Sequence, residues 1–451
     1  MKINNLFTLG AAALMMGACC TQPAEPTLSQ QMVEAHGLGD FYCNRNYQEN
    51  LGTTGWDYVS GLVANAVLKT WSVYPEKQDY YDAVKAFADT ATNEDGTMIL
   101  STKGNDALRP SNIDDLPAGN IYFVLYQEEL KKGNTKDAER YKTAATKIRN
   151  KLKYEHSRIP EGMPGAGGFY HKAIYPNQMW LDGLFMGSPI YAQWQHHFGQ
   201  ENAAENMESW SDIAHQFKTI HHYTYDAEKQ LNYHAWSADP KDANSFWANQ
   251  QAPFLGCSKE FWGRGMGWYF AALVDVLEVM PKEHADYAAV LEILNQVAAG
   301  LARWQDEESG VWYQLLQYDG TVAADGVGDT VDGEVFNVGT QANYLEASAS
   351  CIFTYAYLKG LRLGLLDKAT YEPVAEKAYQ GILKTFITEM DGKMAIVQTC
   401  ASAGLGPKKD HSRTGTVNYY LAGKDVRITQ NEGKAVGTFI LASLEYELKH
   451  K

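Results

Sequence analysis

Apolar residues recur along nearly the whole chain at the spacing of one α-helix face, and no linker interrupts the pattern. In residues 136–152, Ala138, Tyr141, Ala145, Ile148 and Leu152 are spaced 3, 4, 3 and 4 apart. In residues 283–304, Val290, Leu294, Val297, Leu301 and Trp304 are spaced 4, 3, 4 and 3. Each set lines the buried side of an amphipathic helix. Weaker versions cover 55–74, 78–93, 118–132, 177–197, 203–221, 264–280, 341–363, 369–387 and 434–449, which makes about eleven helices. Strand-like stretches such as 311–318 and 394–399 are short and isolated. Helices of similar length, joined by Gly-containing loops, predict an all-α fold closed as a ring of helical hairpins. In such an α/α barrel the inner helices are buried on both faces, and loops at one end build a funnel-shaped site. The 451 residues would ordinarily suggest two or three domains. The unbroken pattern instead predicts one domain over 36–451.

The first residues read as an address. Lys2 gives a short positive start, Leu6 to Met16 is apolar, and Met16-Gly17-Ala18-Cys19 has the form of a lipobox. Residues 1–19 are therefore expected to be a lipoprotein signal peptide, with Cys19 lipidated. The apolar run is too short for a stable transmembrane helix. Residues 20–35, with two prolines in TQPAEPTLSQ, are expected to be a tether. The protein is then an exported lipoprotein with a lipid anchor in a membrane. The periplasmic face of a bacterial membrane is the expected location, with the cell surface as the alternative.

Composition narrows the partners. A formal net charge of −15 argues against nucleic acid as a partner, yet a few local cations can still hold a small anion. Eleven Trp and 28 Tyr suit stacking on the apolar faces of sugars, and equally suit filling a large core. Cys43, Cys257, Cys351 and Cys400 show no metal-site spacing, so no metal is expected and buried thiols are the default.

The density of polar and aromatic residues peaks at 167–183, GGFYHKAIYPNQMWLDG. Pro176 is expected to start or immediately precede a helix, with Trp180 and Asp182 in its first two turns. A carboxyl group beside a large ring is partly desolvated, which raises its pKa and suits a general acid. On these residues alone, Asp182 could as well complement a helix start. A second cluster is FWGRGMGW at 261–268. Its glycines would let the backbone pass close to a ligand, with Arg264 gripping a carboxylate and Trp262 and Trp268 around it. The same residues would also serve as a Gly-rich helix entry with Arg264 paired to an acid. His234 in LNYHAW and Asp114-Asp115 in SNIDDLPAG complete the candidates. No GxSxG, HExxH or Walker pattern is present.

The ordered set GGFYHK, YPNQMWLDGLFM, LNYHAW, FWGRGMGW, YLEASAS and GKAVGTFILASLEYE resembles the unsaturated rhamnogalacturonyl hydrolases, glycoside hydrolase family 105. These are relatives of the unsaturated glucuronyl hydrolases of family 88. The resemblance runs from about residue 55 to the C-terminus. It implies an (α/α)6 barrel, no cofactor, and removal of a terminal 4,5-unsaturated uronic acid from oligosaccharides left by a polysaccharide lyase. It further implies Asp182 as the acid/base and Asp114 as a second carboxylate that positions sugar hydroxyls. His171, Lys172, His234 and Arg264 become polar contacts to the sugar, and Trp180 and Trp268 become walls. Met266 departs from the family pattern, which often has Asn there, and bears on the subsite beyond the uronate.

The expected substrate is a galacturonyl–rhamnose fragment of pectin. Alternatives are a glucuronyl substrate from glycosaminoglycan, ulvan or arabinogalactan, a non-catalytic glycan-binding lipoprotein, and a sugar epimerase on the same barrel.

Overall fold

The computed structural model describes residues 25–38, 55–98 and 108–451. Cys19, Cys43 and the expected signal peptide lie outside these residues. The helices are α1 (Leu28–Met32, continued as a wider turn over Val33–Gly37), α2 (Tyr58–Val73), α3 (Gln78–Ala91), α4 (Ile121–Lys131) and α5 (Thr135–Asn150). They continue as α6 (Leu181–Phe198), α7 (Ala203–Thr224), α8 (Gly263–Leu277), α9 (Tyr287–Arg303), α10 (Ala347–Arg362), α11 (Lys368–Thr385) and α12 (Gly433–Lys449), with a further six-residue helix, Val417–Ala422, in the segment ahead of α12. All eleven helices anticipated from periodicity are present within a few residues of the expected bounds.

Burial sorts them into two layers. In α8 every residue from Gly263 to Val274 is buried, and α10 is buried from Ala347 to Gly360. Such helices have no solvent face and must be surrounded by protein. The helix α9 buries only a stripe, from Val290 through Leu301, and faces water on its other side. Contacts follow the same division. The buried helices α2, α4 (with the Pro117–Asn120 turn ahead of it), α6, α8, α10 and α12 touch in sequence, and α12 returns to α2 to close a ring. Each carries an outer partner, α3, α5, α7, α9, α11 and, for α12, α1. This is the expected (α/α)6 barrel. The ring is tight at places: a Cβ on Gly61 of α2 would lie 2.3 Å from Ala118 Cα, so only glycine fits.

One expectation is corrected. The latter half of 20–35, expected as a tether, is part of the barrel. Thr27 caps α1 with a capping box. Met32 and Val33 are fully buried in the main core. Ser29 donates to Glu447 of α12 from both N and Oγ, at 2.9 and 2.8 Å. A five-residue helix holds too little periodicity to be read in sequence, yet without it the sixth hairpin has no outer member. Among the described residues, no helix is long and apolar enough to cross a membrane.

The inner helices all start at one end of the ring, because each hairpin runs inner-out, outer-back. Small antiparallel ladders decorate that end. One joins Gln178–Trp180 to Ala235–Ser237 and leads directly into α6.

If α1 closes the barrel, Met32→Ala should destabilise the protein by about 2–4 kcal/mol. Urea unfolding would measure this, and an unchanged midpoint would return the segment to a tether.

Candidate active site

A cavity of about 260 Å³ opens at the end where the inner helices begin. Tyr58, Asp114, His171, Lys172, Tyr175, Trp180 and Asp182 line it, together with Met186, the loop Ser402–Gly404 and Arg413.

The ladder between 178–180 and 235–237 places the central pair. Trp180 pairs with Ala235, and Leu181 N donates to His234 O at 2.9 Å, so the strand runs straight into α6 with Asp182 opposite His234. The helix thus starts at Leu181, five residues after Pro176, and Trp180 lies in the strand ahead of it rather than in a helical turn. Asp182 does sit in the first turn of α6, where its charge complements the helix dipole. The helix-start reading of this residue therefore holds.

His234 is fully buried and bridges two groups. Its Nε2 lies 2.9 Å from Asp182 Oδ2, and its Nδ1 lies 2.6 Å from the Tyr420 hydroxyl. Burial pushes the Asp182 carboxyl up, but the field and hydrogen bond of His234, then His171, outweigh it. The net result lies below the ordinary 3.8. The expectation of an acid held protonated by its aromatic neighbour is thereby corrected: the imidazole contact dominates over desolvation. Gly265 at the start of α8 adds to this, since a Cβ there would lie 3.6 Å from Asp182 Oδ2, and helix N-termini favour anions.

One wall is a stack of rings. His171 lies flat on Trp180, with centroids 4.3 Å apart and planes 8° apart, and Tyr175 leans on Trp180 at 4.6 Å. Burial pushes the His171 pKa down to about 4, so the ring is neutral at pH 7. An isolated antiparallel bridge between Asn112 and Lys172 brings the turn Ile113–Asp115 alongside. Asp114 points into the cavity and pairs with Lys172, with His171 Nε2 at 3.7 Å. Asp115 points the other way. It is fully buried and held by Arg109 and by Asn112 Nδ2. The adjacency of the two acids is thus resolved in favour of Asp114.

Arg264, Trp268 and His234, all expected to contact the sugar, do not line the cavity; His234 lies behind Asp182. Arg264 is 2% exposed and donates to Ser348 Oγ at 3.2 Å and Cys400 O at 2.5 Å, with Glu346 at 4.0 Å. It balances the acids that cap α10 and α12 instead of gripping a ligand. Trp268 packs edge-on to Tyr58 and tilted against Phe185, behind the wall. The glycines of FWGRGMGW serve packing in part: a Cβ on Gly267 would lie 2.1 Å from Ile352 Cγ2. Met266 is fully buried and outside the lining, so the departure at this position does not touch the cavity. The residues that sequence reasoning missed are Tyr58, Tyr175, Met186, the 402–404 loop, Arg413 and Tyr420. The loop residues carry no periodicity, and only a motif for this loop could have singled out Arg413. Among the described residues, no cluster of His, Cys, Asp and Glu is arranged to hold a metal. Cys257, Cys351 and Cys400 are free and buried.

A helical ring with a polar, aromatic-walled pocket and a buried carboxyl–imidazole pair at its open end defines a carbohydrate-active α/α barrel. The pattern of Glycosyl Hydrolase Family 88 matches residues 39–324 and 334–449. The chain belongs to that family and is a glycoside hydrolase. It is similar to a solved glycoside hydrolase of family 105 from C. acetobutylicum, 34% identical, with a TM-score of 0.73 over 94% of this chain and 100% of the other. Among curated proteins it is similar to the unsaturated rhamnogalacturonyl hydrolase YesR of Bacillus subtilis, 24% identical over 79% of this chain and 81% of that one. It also resembles the unsaturated 3S-rhamnoglycuronyl hydrolase of Formosa agariphila, 24% identical over 55% and 57%. The resemblance carried by the motifs is borne out.

Two outcomes follow from the site. Asp115→Ala should cost about 1–3 kcal/mol of stability, since it removes a buried acceptor that holds Arg109 and Asn112, whereas Asp114→Ala should leave the melting temperature nearly unchanged and depress turnover. Reversed effects would exchange the two assignments. His171 has a folded pKa of about 4 against the ordinary 6.5. Between these values the unfolded chain takes up a proton that the folded chain refuses, so stability falls as pH falls from 6.5 towards 4 and is unaffected above. Replacing His171 by Gln should flatten the acid limb of a stability–pH curve by one proton's slope.

Proposed function

We propose that the protein removes a terminal 4,5-unsaturated galacturonyl residue, linked to rhamnose, from oligosaccharides produced by a polysaccharide lyase. The observation that carries this reading is the Asp182–His234 pair at the base of a sugar-sized cavity walled by Trp180 and His171. Family 88 membership and the likeness to the unsaturated rhamnogalacturonyl hydrolase YesR, which aligns over most of its length, support it.

In this reading the chemistry differs from displacement by two carboxylates. The substrate carries an enol ether at C4–C5. Asp182 delivers a proton to C4, and the resulting cation at C5 takes up water, whose proton returns to Asp182. The C5 hemiketal opens to a ketone, the released O5 leaves C1 as a hemiacetal, and C1 then expels the aglycone. One carboxyl group serves as acid and then as base.

Asp182 is ionised in the free protein at neutral pH, so the proton has to arrive with the substrate. A second anion entering this desolvated cavity disfavours the carboxylate and raises its pKa. Substrate binding is therefore coupled to proton uptake, with His234 and Tyr420 as the buried hydrogen-bond chain behind the acid. Asp114, paired with Lys172, is placed to hold sugar hydroxyls.

The glucuronyl alternative keeps the same mechanism; the likeness to the rhamnoglycuronyl hydrolase of Formosa agariphila supports an unsaturated uronate substrate without choosing between the two sugars. We also infer lipidation at Cys19 and export to the periplasmic side of a membrane, supported by the lipobox Met16–Cys19. Radiolabelled fatty acid should be incorporated by cells making the protein and lost in Cys19→Ala.

The test of function follows the ultraviolet absorbance of the double bond on galacturonyl and glucuronyl fragments. Absorbance should decay faster on the galacturonyl–rhamnose substrate. Persistence on both would end the hydrolase reading, and faster decay on the glucuronyl one would select the alternative. Asp182→Asn should lose more than about a hundredfold in kcat with binding retained, and titration calorimetry in two buffers should show proton uptake by the wild type.

A further inference from the structure

Two cations line the cavity, Lys172 and Arg413. Lys172 is paired with Asp114, the acid that the reading above assigns to the sugar hydroxyls. Arg413 is anchored from behind, with Nε 3.2 Å from Asp410 and Nη2 2.9 Å from Asp425. Its third nitrogen, Nη1, faces Gly404, where a Cβ would lie 3.2 Å from it and 3.5 Å from the edge of Trp180. Gly404 thus leaves the guanidinium beside the ring wall, and Tyr175 lies within the field of both cations.

The segment that carries Arg413 is clamped by a hairpin. Residues 325–333 lie between the two stretches that the family pattern matches. They begin a hairpin of Asp329–Val331 against Glu334–Phe336, turned by Asp332 and Gly333, both at positive φ. Asp329 Oδ2 accepts from Thr414 Oγ1 and Thr416 Oγ1, each at 2.7 Å, and from Asn337 Nδ2 at 2.8 Å. Asn337 Nδ2 also donates to Ser412 O at 2.7 Å. The hairpin therefore grips the residues on both sides of Arg413, and Asp332 reaches His411 at 3.5 Å. Three of these bonds leave the hairpin and end on residues 412–416, so they fix the neighbouring segment rather than the turn itself.

We propose that Arg413 binds the substrate carboxylate and that the 325–337 hairpin, through Asp329, is the device that holds it in place. This rests on the uronate reading above. A guanidinium suits the role, because Asp410 and Asp425 fix its orientation through Nε and Nη2 while Nη1 is turned toward Gly404 as a charged donor. Arg413 is a binding residue, and Asp329 acts through it as a positioning residue.

The test uses lyase-generated unsaturated oligosaccharides as the free acid and as the methyl ester of the uronate, with purified full-length protein. The wild type should prefer the acid in KM by about tenfold or more, the loss expected for one charged hydrogen bond. Arg413→Gln should raise KM for the acid by a similar factor, leave kcat nearly unchanged, and erase the preference over the ester. Arg413→Lys keeps the charge and the two acidic partners, and should lie between them, which covers the case in which the Gln variant does not fold. Asp329→Asn should raise KM in the wild-type background and add nothing in the Arg413→Gln background. An active wild type whose Arg413 variants keep the acid preference overturns this proposal and leaves the function standing. Equal effects of Asp329→Asn in both backgrounds overturn the clamp. A wild type inactive on every unsaturated uronate ends both readings.

Discussion

Six inner helices begin at the same end of the ring, and that end is therefore rich in unpaired backbone N–H groups and positive dipole ends. The chain answers this with carboxylates. Asp57, Glu346 and Glu432 cap α2, α10 and α12, and Asp182 lies in the first turn of α6. The helix α8 has no acidic cap and instead presents Arg264 to Glu346. The open end of the barrel is thus a balanced field of fixed dipoles and buried charges. Such a field suits an anionic sugar, because the protein has already organised the charge that water would otherwise supply.

This constraint explains why Asp182 is less acid-like at rest than its aromatic setting suggests. Desolvation raises a carboxyl pKa, but a hydrogen-bonded imidazole and two helix starts oppose it. In the proposed reaction the group becomes an acid in the presence of another anion, which couples binding to proton delivery. The hydrogen-bond chain through His234 to Tyr420 keeps the imidazole oriented throughout.

Much of this was legible in the sequence, and the misses have physical causes. Eleven helices announced themselves, because a long helix repeats its apolar spacing enough times to be read. The twelfth did not, because Leu28–Met32 spans little more than one turn and follows a proline-containing stretch. Asp182, Trp180, His171, Lys172 and Asp114 converge as the motifs implied, since they lie within one strand–helix unit and the turn bridged to it. Arg264 misled, because Glu346 and Cys400 claim it from far along the chain and local spacing carries no trace of them. Arg413 was invisible for the converse reason: Asp425 and the hairpin that grips its neighbours are brought to it only by the folded chain.

The central claim is that cleavage proceeds by protonation at C4 of the unsaturated ring, and isotope incorporation tests it most directly. The reaction run in D2O with the galacturonyl–rhamnose fragment, and read by NMR, should place one deuterium on C4 of the released uronate as the vinyl signal disappears. The Asp182→Asn variant should show neither change. Release of the aglycone with the double bond intact and no deuterium at C4 would contradict the account, because the glycosidic bond would then have been broken directly.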